Sequence, residues 1–508
     1  MSAIAGIWTP DGRPFRPDAC ERMLDAQRSY GPDDAKHWRG PGITMGRRLF
    51  RLLPEDGFDR GVQQPAGRGL TLVADLRIDN RDEIILDLGE RHDRHAQSCD
   101  AAILVAALAR WGDDALNRIA GDFAFALYDT QARTLTLARD ILGQRPLHYY
   151  RGDGFFAFAT MPKGLHALSE IPYAANEAFV AEFVALLPPA GSSTFFTAIE
   201  RVEPGHIVTV TQDGIASRRY WEPRPPDGSR MSPALAVEGL RHHMALATQA
   251  RLRGIRPVVG TQLSGGFDSG AVTATAARLL RGTDRRLAAF TAVPRDGYDG
   301  PVPRDRFGDE GPHAAAVAAL YDNIEHVLVR SDRASPLDDL DRMFFLFDRP
   351  MLNLCNWSWF SRIAAAARDR GINVMLNGQM GNMTISYNGL ERLPALLAAG
   401  APLAWAREAR RLHANRFMSA RGILAQTLGP FLPRPLWRRL AEATGRGARD
   451  VLHYSAIRPD VLADLDLPRV ALERDLDLSY RPRREGFAAR LWGMRRVNLG
   501  NVNKGMLA

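Results

Sequence analysis

Residues 258–270 read Val-Val-Gly-Thr-Gln-Leu-Ser-Gly-Gly-Phe-Asp-Ser-Gly, a short apolar strand pattern that turns through glycines into a helix. Glycines let the backbone approach a phosphate group closely, and the N-terminus of the following helix offers N–H groups and a positive dipole. Ser264 and Ser269 add hydroxyl donors. Asp268 would repel a phosphate unless a cation lay between them, so the stretch predicts Mg²⁺ at this carboxylate.

Strands and helices alternate on both sides of this stretch, which predicts a parallel sheet with helical crossovers. The apolar spacing predicts helices over residues 233–252, 270–280 and 313–321, and strands over 257–263, 287–293 and 324–329.

The first 220 residues have a different pattern, rich in short strands. We predict strands over 70–74, 123–128, 134–138 and 206–210, and a helix over 100–111. Residues 221–233 contain four prolines and a glycine, which indicates a linker. The predicted organisation is therefore a first domain over 1–220, a linker over 221–232 and a second domain over 233–508.

Bulk composition excludes several classes of protein. The net charge is +8, but the basic residues are scattered and form no block, so we expect a solvated arginine-rich surface and no nucleic-acid partner. Three widely spaced cysteines form neither a disulfide framework nor a zinc ligand set. The start resembles no signal peptide, and no apolar run is long enough to span a bilayer. We expect a soluble cytoplasmic protein without a membrane partner.

The loop Ser264–Ser269 resembles the pyrophosphate loop of the N-type ATP pyrophosphatases, enzymes that cleave ATP between the α- and β-phosphates. A tight strand-to-helix turn without a ligand is the competing interpretation. Further segments, in order, are similar to the asparagine synthetase family: Gly121–Asp129, Leu137–Tyr150, Val202–His206, Arg219–Trp221 and Gly308–Glu310. The resemblance implies an α/β protein with an N-terminal amidotransferase-like (Ntn) αββα sandwich. It also implies a second, α/β adenine-nucleotide α-hydrolase-like domain with a parallel sheet, which uses ATP and Mg²⁺.

The resemblance also implies the roles of individual residues. Asp268 and Asn382 would hold the metal, and Asp268, Asp348 and Lys504 would be the catalytic residues. A surface-loop carboxylate is the competing interpretation of Asp348. Family members continue to a catalytic lysine beyond the segment matched by Asn498–Ala508, so we expect a C-terminally truncated chain, with Lys504 upstream of that lysine's place. The nucleotide would contact Leu263, Ser264, Gly265, Gly266, Phe267, Asp268, Ser269, Ala292, Asn377 and Gly378.

Three departures from the family concern the use of glutamine. Ser2 stands where glutamine-using members have a nucleophilic cysteine, and a hydroxyl is a far weaker nucleophile than a thiol at neutral pH. Asp75-Leu76-Arg77 replaces the glutamine-binding Asn-Gly-Glu, and Tyr30 replaces the arginine of an Arg-Gly-Pro-Asp stretch. We therefore predict no glutaminase activity and a nucleophile other than ammonia.

Two branches of the family resemble this pattern, the β-lactam synthetases and the lasso-peptide cyclases. The segment Asn377–Tyr387 has lost the family's acidic pair, and its Gly-Gln-Met-Gly-Asn form looks most like lasso-peptide cyclases. This likeness implies macrolactam formation in a leaderless precursor peptide, with a leader peptidase and a peptide-recognition protein as partners. The alternatives are an asparagine synthetase dependent on glutamine or ammonia, a β-lactam synthetase, a tRNA-modifying pyrophosphatase and an inactive scaffold.

Two clusters have a functional and a structural interpretation. His92 and His95 have a spacing that could hold a metal, and the competing interpretation is an exposed polar loop. The aromatic residues Trp357, Trp359 and Phe360 could bind a peptide, and the competing interpretation is that they lie in a helix core.

Overall fold

A computed structural model describes residues 1–89, 97–222, 231–302, 307–330, 335–444, 451–474, 476, 478 and 481–482. His92 and His95, most of the predicted linker and Lys504 lie outside these ranges. Within them no helix combines the length and the apolar character needed to cross a bilayer.

Two antiparallel sheets face each other in the first half of the chain. The strands are β1 (Ala3–Trp8), β2 (Asp34–Gly40), β3 (Ile43–Leu49), β4 (Leu70–Ile78), β5 (Gly121–Asp129), β6 (Thr134–Arg139), β7 (His148–Arg151), β8 (Phe156–Ala159), β9 (Glu200–Arg201), β10 (His206–Val210) and β11 (Ile215–Arg219). One sheet has the order β2-β3-β1-β8-β7-β9 and the other β11-β10-β6-β5-β4. The core between them includes Ile4, Trp8, Val73, Leu137 and Phe158.

Helices cover the outer faces of this pair of sheets. They are α1 (Ala19–Ala26), α2 (Arg81–Asp87), α3 (Asp100–Trp111), α4 (Ala115–Arg118), α5 (Pro162–His166) and α6 (Glu177–Val184). Helices α2 and α3 pack on the five-stranded sheet, and α1 and α5 pack on the six-stranded sheet. The layers therefore follow the predicted αββα order.

Strand β4 is longer than the predicted 70–74. The charged residues Asp75 and Arg77 continue the strand because their side chains are buried and paired, with Arg145 and Asp79 respectively. Pairing lowers the free-energy cost of burying a charge in a strand. The local sequence pattern does not predict such a pairing.

The second half contains a four-stranded parallel sheet of order β14-β13-β12-β15. Its strands are β12 (Val258–Gln262), β13 (Arg286–Val293), β14 (Ile324–Arg330) and β15 (Met375–Leu376). Side chains alternate between its faces, so Leu287 and Ala289 meet one helical layer and Ala288 and Phe290 meet the other.

The helices of this half begin with α7 (Pro233–Arg251), α8 (Phe267–Leu280), α9 (Gly311–Ala318), α10 (Leu340–Phe347) and α11 (Leu354–Asp369). Two predicted starts were wrong. Helix α8 begins at Phe267, not 270, because Gly266 is already the N-cap. Helix α9 begins at Gly311, not 313, because Pro312 fits the first turn, where no N–H bond is needed.

Shorter helices follow: α12 (Arg392–Ala398), α13 (Pro402–Ala414), α14 (Ala420–Leu428), α15 (Arg434–Ala443), α16 (Val451–Tyr454), α17 (Pro459–Asp464) and α18 (Leu467–Glu473). The last of them pack on α6 of the first half, in a shared cluster that contains Ala181, Ala185, Leu467 and Ala471. Arg474 joins the same interface through a bidentate bond to Glu182, at 2.7 and 2.8 Å.

Candidate functional site

The serine- and glycine-rich loop connects β12 to α8 at the carboxyl edge of the parallel sheet. The hydroxyls of Ser264 and Ser269 lie 2.8 Å apart, and the backbone N–H of Ser264 donates to Ser269 Oγ at 3.0 Å. The N–H of Gly266 donates to Ser264 Oγ at 3.2 Å. These bonds fold the loop onto the first turn of the helix. Phe267 points outward from that turn and is 88% exposed.

An acidic side chain from α9's N-terminus reaches this loop. The N–H of Gly265 donates to Glu310 Oε2 at 3.3 Å, and a side chain at position 265 would lie 3.2 Å from the Cβ of His313. A side chain at position 265 would therefore be tightly packed, and the loop amide already donates to a carboxyl oxygen. Glu310 belongs to the motif Gly308–Glu310, but no local pattern indicates its contact with the loop.

Asp268 lies in the first turn of α8, and among the described groups only one of its two carboxylate oxygens has a hydrogen-bond partner. Ser386 Oγ donates to Oδ2 at 3.0 Å. Oδ1 is buried and has no hydrogen-bond partner among the described groups. A buried, unpaired carboxylate oxygen is costly in free energy. Because such an oxygen is a preferred ligand of a hard cation, the residue fits the predicted Mg²⁺.

The second loop, residues 377–387, packs directly against Asp268. It follows β15, which pairs with β12 in parallel. A Cβ at Gly378 would lie 2.5 Å from the backbone nitrogen of Ser269, and a Cβ at Gly381 would lie 2.3 Å from Asp268 Cγ. The two glycines at this spacing thus allow the two loops to touch.

Other predicted ligand residues of this region occupy the same edge. Asn377 and Asn382 are exposed on the second loop, and Asn377 Oδ1 accepts from the N–H of Gln379 at 3.0 Å. Within the described ranges no group of three or more His, Cys, Asp or Glu residues could hold a metal. The metal-binding role of Asp268 stays a prediction. The role of Asn382 stays a prediction.

The neighbouring strand supports the loop through a hydrogen-bonded relay that sequence reasoning missed. Thr291 Oγ1 donates to the carbonyl of Leu263 at 2.7 Å, and His326 Nε2 lies 2.8 Å from the same hydroxyl. Burial lowers the pKa of His326. Ala292, the next residue of β13, is half-buried at the carboxyl end of that strand. Carboxyl ends of parallel strands are the usual ligand-binding edge of such a sheet.

Asp348 lies at the boundary between the two halves. Its carboxylate accepts from the backbone N–H of Lys163 at 2.9 Å, and the Lys163 ammonium is 3.5 Å away. Burial raises the pKa of Asp348 to about 6, against the opposing effect of Lys163. The side chain is only 10% exposed, so the surface-loop interpretation is wrong. The catalytic role of Asp348 stays a prediction.

The place of the glutaminase centre is filled by an ionic network. The N–H of Ser2 donates to Asp75 Oδ1 at 3.0 Å, and Arg145 Nη1 lies 3.2 Å from the same oxygen. Ser2 Oγ accepts from Arg47 Nη2 at 3.2 Å. Arg47 also pairs with Asp59. Ser2 is 3% exposed and Asp75 is 2% exposed, so the serine lies within a packed set of charges.

Tyr30 and the aromatic residues of α11 bond to or pack against other parts of the fold. The Tyr30 hydroxyl donates to the carbonyl of Leu346 at 2.9 Å, across the domain boundary. Trp357 is buried on α11 and packs edge-on against Phe347 with the ring centroids 5.0 Å apart. Trp359 and Phe360 stack on each other at 4.0 Å. For Trp357 the helix-core interpretation is therefore confirmed.

Comparison with known proteins matches both halves to families. The glutamine amidotransferase domain model matches residues 1–221, and the asparagine synthase model matches residues 239–476. The chain is 25% identical over 353 residues to the glutamine-hydrolyzing asparagine synthetase 3 of Bacillus subtilis, covering 67% of this chain and 56% of that protein.

Two further relatives carry similar names. A putative glutamine-hydrolyzing asparagine synthetase of Mycobacterium bovis is 29% identical over 326 residues, 59% of this chain and 47% of its own length. A second such protein, from Methanocaldococcus jannaschii, is 24% identical over 405 residues, 75% of this chain and 74% of its own length. The chain spans about half the length of the first two relatives.

Proposed function

The chain belongs to the asparagine synthetase family, and on that premise we propose that it activates a carboxylate as its adenylate and closes an amide within one peptide. The proposed substrates are ATP and a leaderless precursor peptide with an internal Asp or Glu. The proposed products are AMP, pyrophosphate and a macrolactam. A leader peptidase and a peptide-recognition protein are the proposed partners that supply the peptide.

The observation that carries this proposal is the contrast between the two halves. The loop at Ser264–Ser269 keeps its glycines, its hydroxyls and the unbonded oxygen of Asp268. The centre around Ser2 lacks the cysteine and is filled by Arg145, Asp75 and Arg47. A family member that adenylates a carboxylate without making ammonia needs an amine from another source.

The residues of the loop have defined tasks in this reaction. A carboxylate oxygen of the peptide attacks the α-phosphorus of ATP, and the bond to the β-phosphate oxygen breaks. The loop N–H groups and the hydroxyls of Ser264 and Ser269, which here bond to one another and to Glu310, would turn to the leaving pyrophosphate as donors. Asp268 would hold Mg²⁺, which supplies positive charge where negative charge develops.

The second step uses the peptide's own amine. An α-amine has a pKa of about 7.7–8.0, so a useful fraction is neutral without a dedicated base. The amine nitrogen attacks the acyl carbon, the bond to the AMP phosphate oxygen breaks, and the nitrogen loses a proton to the phosphate of the leaving AMP. Holding the two groups together contributes about 7–11 kcal/mol in favourable cases, and exclusion of water protects the adenylate.

A peptide substrate is favoured by the second loop. Its Gly378-Gln-Met-Gly-Asn382 sequence lacks the acidic pair of the asparagine synthetases and resembles the lasso-peptide cyclases. The names of the relatives, which are glutamine-hydrolyzing asparagine synthetases, favour a second candidate, asparagine synthesis. With its glutaminase centre filled, this chain would need free ammonia for that reaction. The two candidates differ only in the source of the amine and in the size of the acid.

Mass spectrometry tests the proposal. The full-length protein with ATP, Mg²⁺ and a leaderless peptide should give AMP, pyrophosphate and a peptide lighter by one water. The same peptide with its N-terminus acetylated, or with Asn or Gln in place of the internal acid, should remain unchanged. Asparagine from aspartate and ammonium would support the second candidate. Cyclisation of a small β-amino acid alone would favour a β-lactam synthetase, and ADP with phosphate would refute adenylation.

A further inference from the structure

Arg77 crosses from the first half of the molecule to the second. It lies on β4, in the place where glutamine-using relatives have the glutamate of Asn-Gly-Glu, and it is 5% exposed. Its Nη2 donates to the carbonyl of Ala250 and its Nε donates to Asp79 at 3.1 Å. Ala250 is in the last turn of α7, where carbonyls lack partners within the helix and a cation is favourable.

Two further arginines extend this contact along the chain. Arg251 Nη2 lies 2.9 Å from Asp79 and 3.0 Å from Asp122 Oδ1. Arg253 Nη2 lies 2.6 Å from Asp100 Oδ2. Three aspartates of the first half thus hold the end of α7 and the residues after it. Charge-assisted bonds of this kind are roughly twice as strong as neutral ones.

The segment 251–256, which these aspartates bind, leads along the chain to β12 and the loop after it. Gly254 has a φ of +77°, and a side chain there would lie 2.9 Å from the carbonyl oxygen of Leu52. The carbonyl of Gly254 accepts from Asn373 Nδ2 at 3.0 Å, and Arg256 N–H donates to Asn373 Oδ1 at 3.2 Å. The segment therefore touches the starts of both β12 and β15.

Both nucleotide-site loops leave from the far ends of these two strands. Strand β12 leads to Ser264–Ser269, and β15 leads to residues 377–387. The contact between the loops is tight, because Gly378 and Gly381 leave no space beside Ser269 and Asp268. A small shift of one strand against the other would open or close that contact.

We infer that Arg77 is a positioning residue that fixes the starting ends of β12 and β15 and thereby sets the two nucleotide-site loops against each other. The strand that binds glutamine in relatives has here become a support for the adenylating half. The first domain is thus required for nucleotide binding although it makes no ammonia. This inference rests on the proposed function for its kinetic consequence but not for its structural one.

Hydrogen exchange on the full chain tests the structural consequence. Arg77→Met should accelerate exchange about tenfold in peptides covering 250–262 and 372–378, a loss of about 1.4 kcal/mol of local stability. The matched control is Arg110→Met, which removes an arginine bond to the Leu88 carbonyl within the first domain. The control should leave both peptides unchanged.

ATP–pyrophosphate exchange tests the kinetic consequence. Arg77→Met should raise the KM for ATP about tenfold with a smaller change in kcat. Arg77→Lys should recover part of that loss, because an ammonium can still donate to the Ala250 carbonyl. Hydrogen exchange in Arg77→Met that is as slow as in the wild type at 250–262 and 372–378 would overturn the inference. Hydrogen exchange that is uniformly faster over the whole chain in both Arg77→Met and Arg110→Met would also overturn it.

The two proposals fail separately. If the wild-type chain shows no ATP–pyrophosphate exchange but Arg77→Met still loosens 250–262 and 372–378, the proposed function fails and the support by Arg77 stands. If the wild-type chain catalyses the exchange and Arg77→Met leaves both segments and the KM unchanged, the inference fails alone.

Discussion

Lys163 and Asp348 form a buried ion pair across the boundary between the two halves. The Lys163 ammonium lies 3.5 Å from Asp348 Oδ1, and it also lies 3.8 Å from the Phe345 ring centroid and 5.0 Å from that of Tyr30. Lysine is rare here, since arginine supplies almost all the positive charge. A compact ammonium fits this aromatic enclosure where a planar guanidinium would need more width, which explains a lysine at this position.

Replacement of Lys163 by Met should destabilise the protein more at pH 7.5 than at pH 5. Burial raises the pKa of Asp348 from 3.8 to about 6, so the folded chain holds this proton more tightly than the unfolded chain. The free energy of unfolding attributable to Asp348 therefore falls as the pH rises from about 4 to about 6. Without the lysine the pKa rises further, and at pH 7.5 an unpaired buried carboxylate costs about 3 kcal/mol.

Urea unfolding at the two pH values measures this effect. Lys36→Met is the control, because Lys36 is half exposed and pairs with Asp34 on the surface. It should have the same small effect at both pH values. Equal destabilisation by Lys163→Met at pH 5 and pH 7.5 would contradict the assignment of the effect to Asp348.

Restoring the cysteine alone should not restore glutaminase activity. Ser2→Cys supplies a thiol, but Asp75 remains bonded to Arg145 and to the Ser2 backbone, and Arg77 remains directed to Ala250. Glutamate release from glutamine should stay at the uncatalysed rate in both the wild type and the variant. Steady turnover by the wild-type chain would return glutamine-dependent asparagine synthesis to first place.

Asp268→Asn should lower ATP–pyrophosphate exchange by about 10²–10³-fold while the fold persists. The amide keeps the shape of the side chain and its bond with Ser386 but removes the charge beside the unbonded oxygen. Circular dichroism and thermal melting check the fold. Asp296→Asn is the control, since Asp296 is an exposed partner of Arg330. Near-normal exchange in Asp268→Asn would show that the metal is held elsewhere.

Gly381→Ala and Gly270→Ala should have opposite outcomes. An added Cβ at 381 would lie 2.3 Å from Asp268 Cγ, so the second loop must move away and nucleotide affinity should fall at least about tenfold. An added Cβ at 270 meets nothing within 4 Å. Because Gly270 is inside α8, alanine there should stabilise the chain by about 0.5–1 kcal/mol. Calorimetric titration with ATP and Mg²⁺ and thermal melting compare the two.

The sequence by itself determined the second half of the chain at the level of its architecture. The strand at 258–262, the loop after it, the helix that follows and the parallel pairing of the strands could all be predicted, whereas the order β14-β13-β12-β15 could not. Each depends on neighbours along the chain: apolar runs, glycines at a turn and the period of a helix. The likeness to the asparagine synthetase family used the same contiguous motifs, and both family models match.

Tertiary structure alone decided where the charged residues are directed. No local pattern shows that Arg77 reaches Ala250, that Asp348 meets Lys163, or that Glu310 lies on the Gly265 amide. These partners are separated by 45 to 185 positions, so their contacts exist only after the sheets and helices have packed. A buried charge must find a partner wherever the fold brings one, and that choice is made in space and not along the chain.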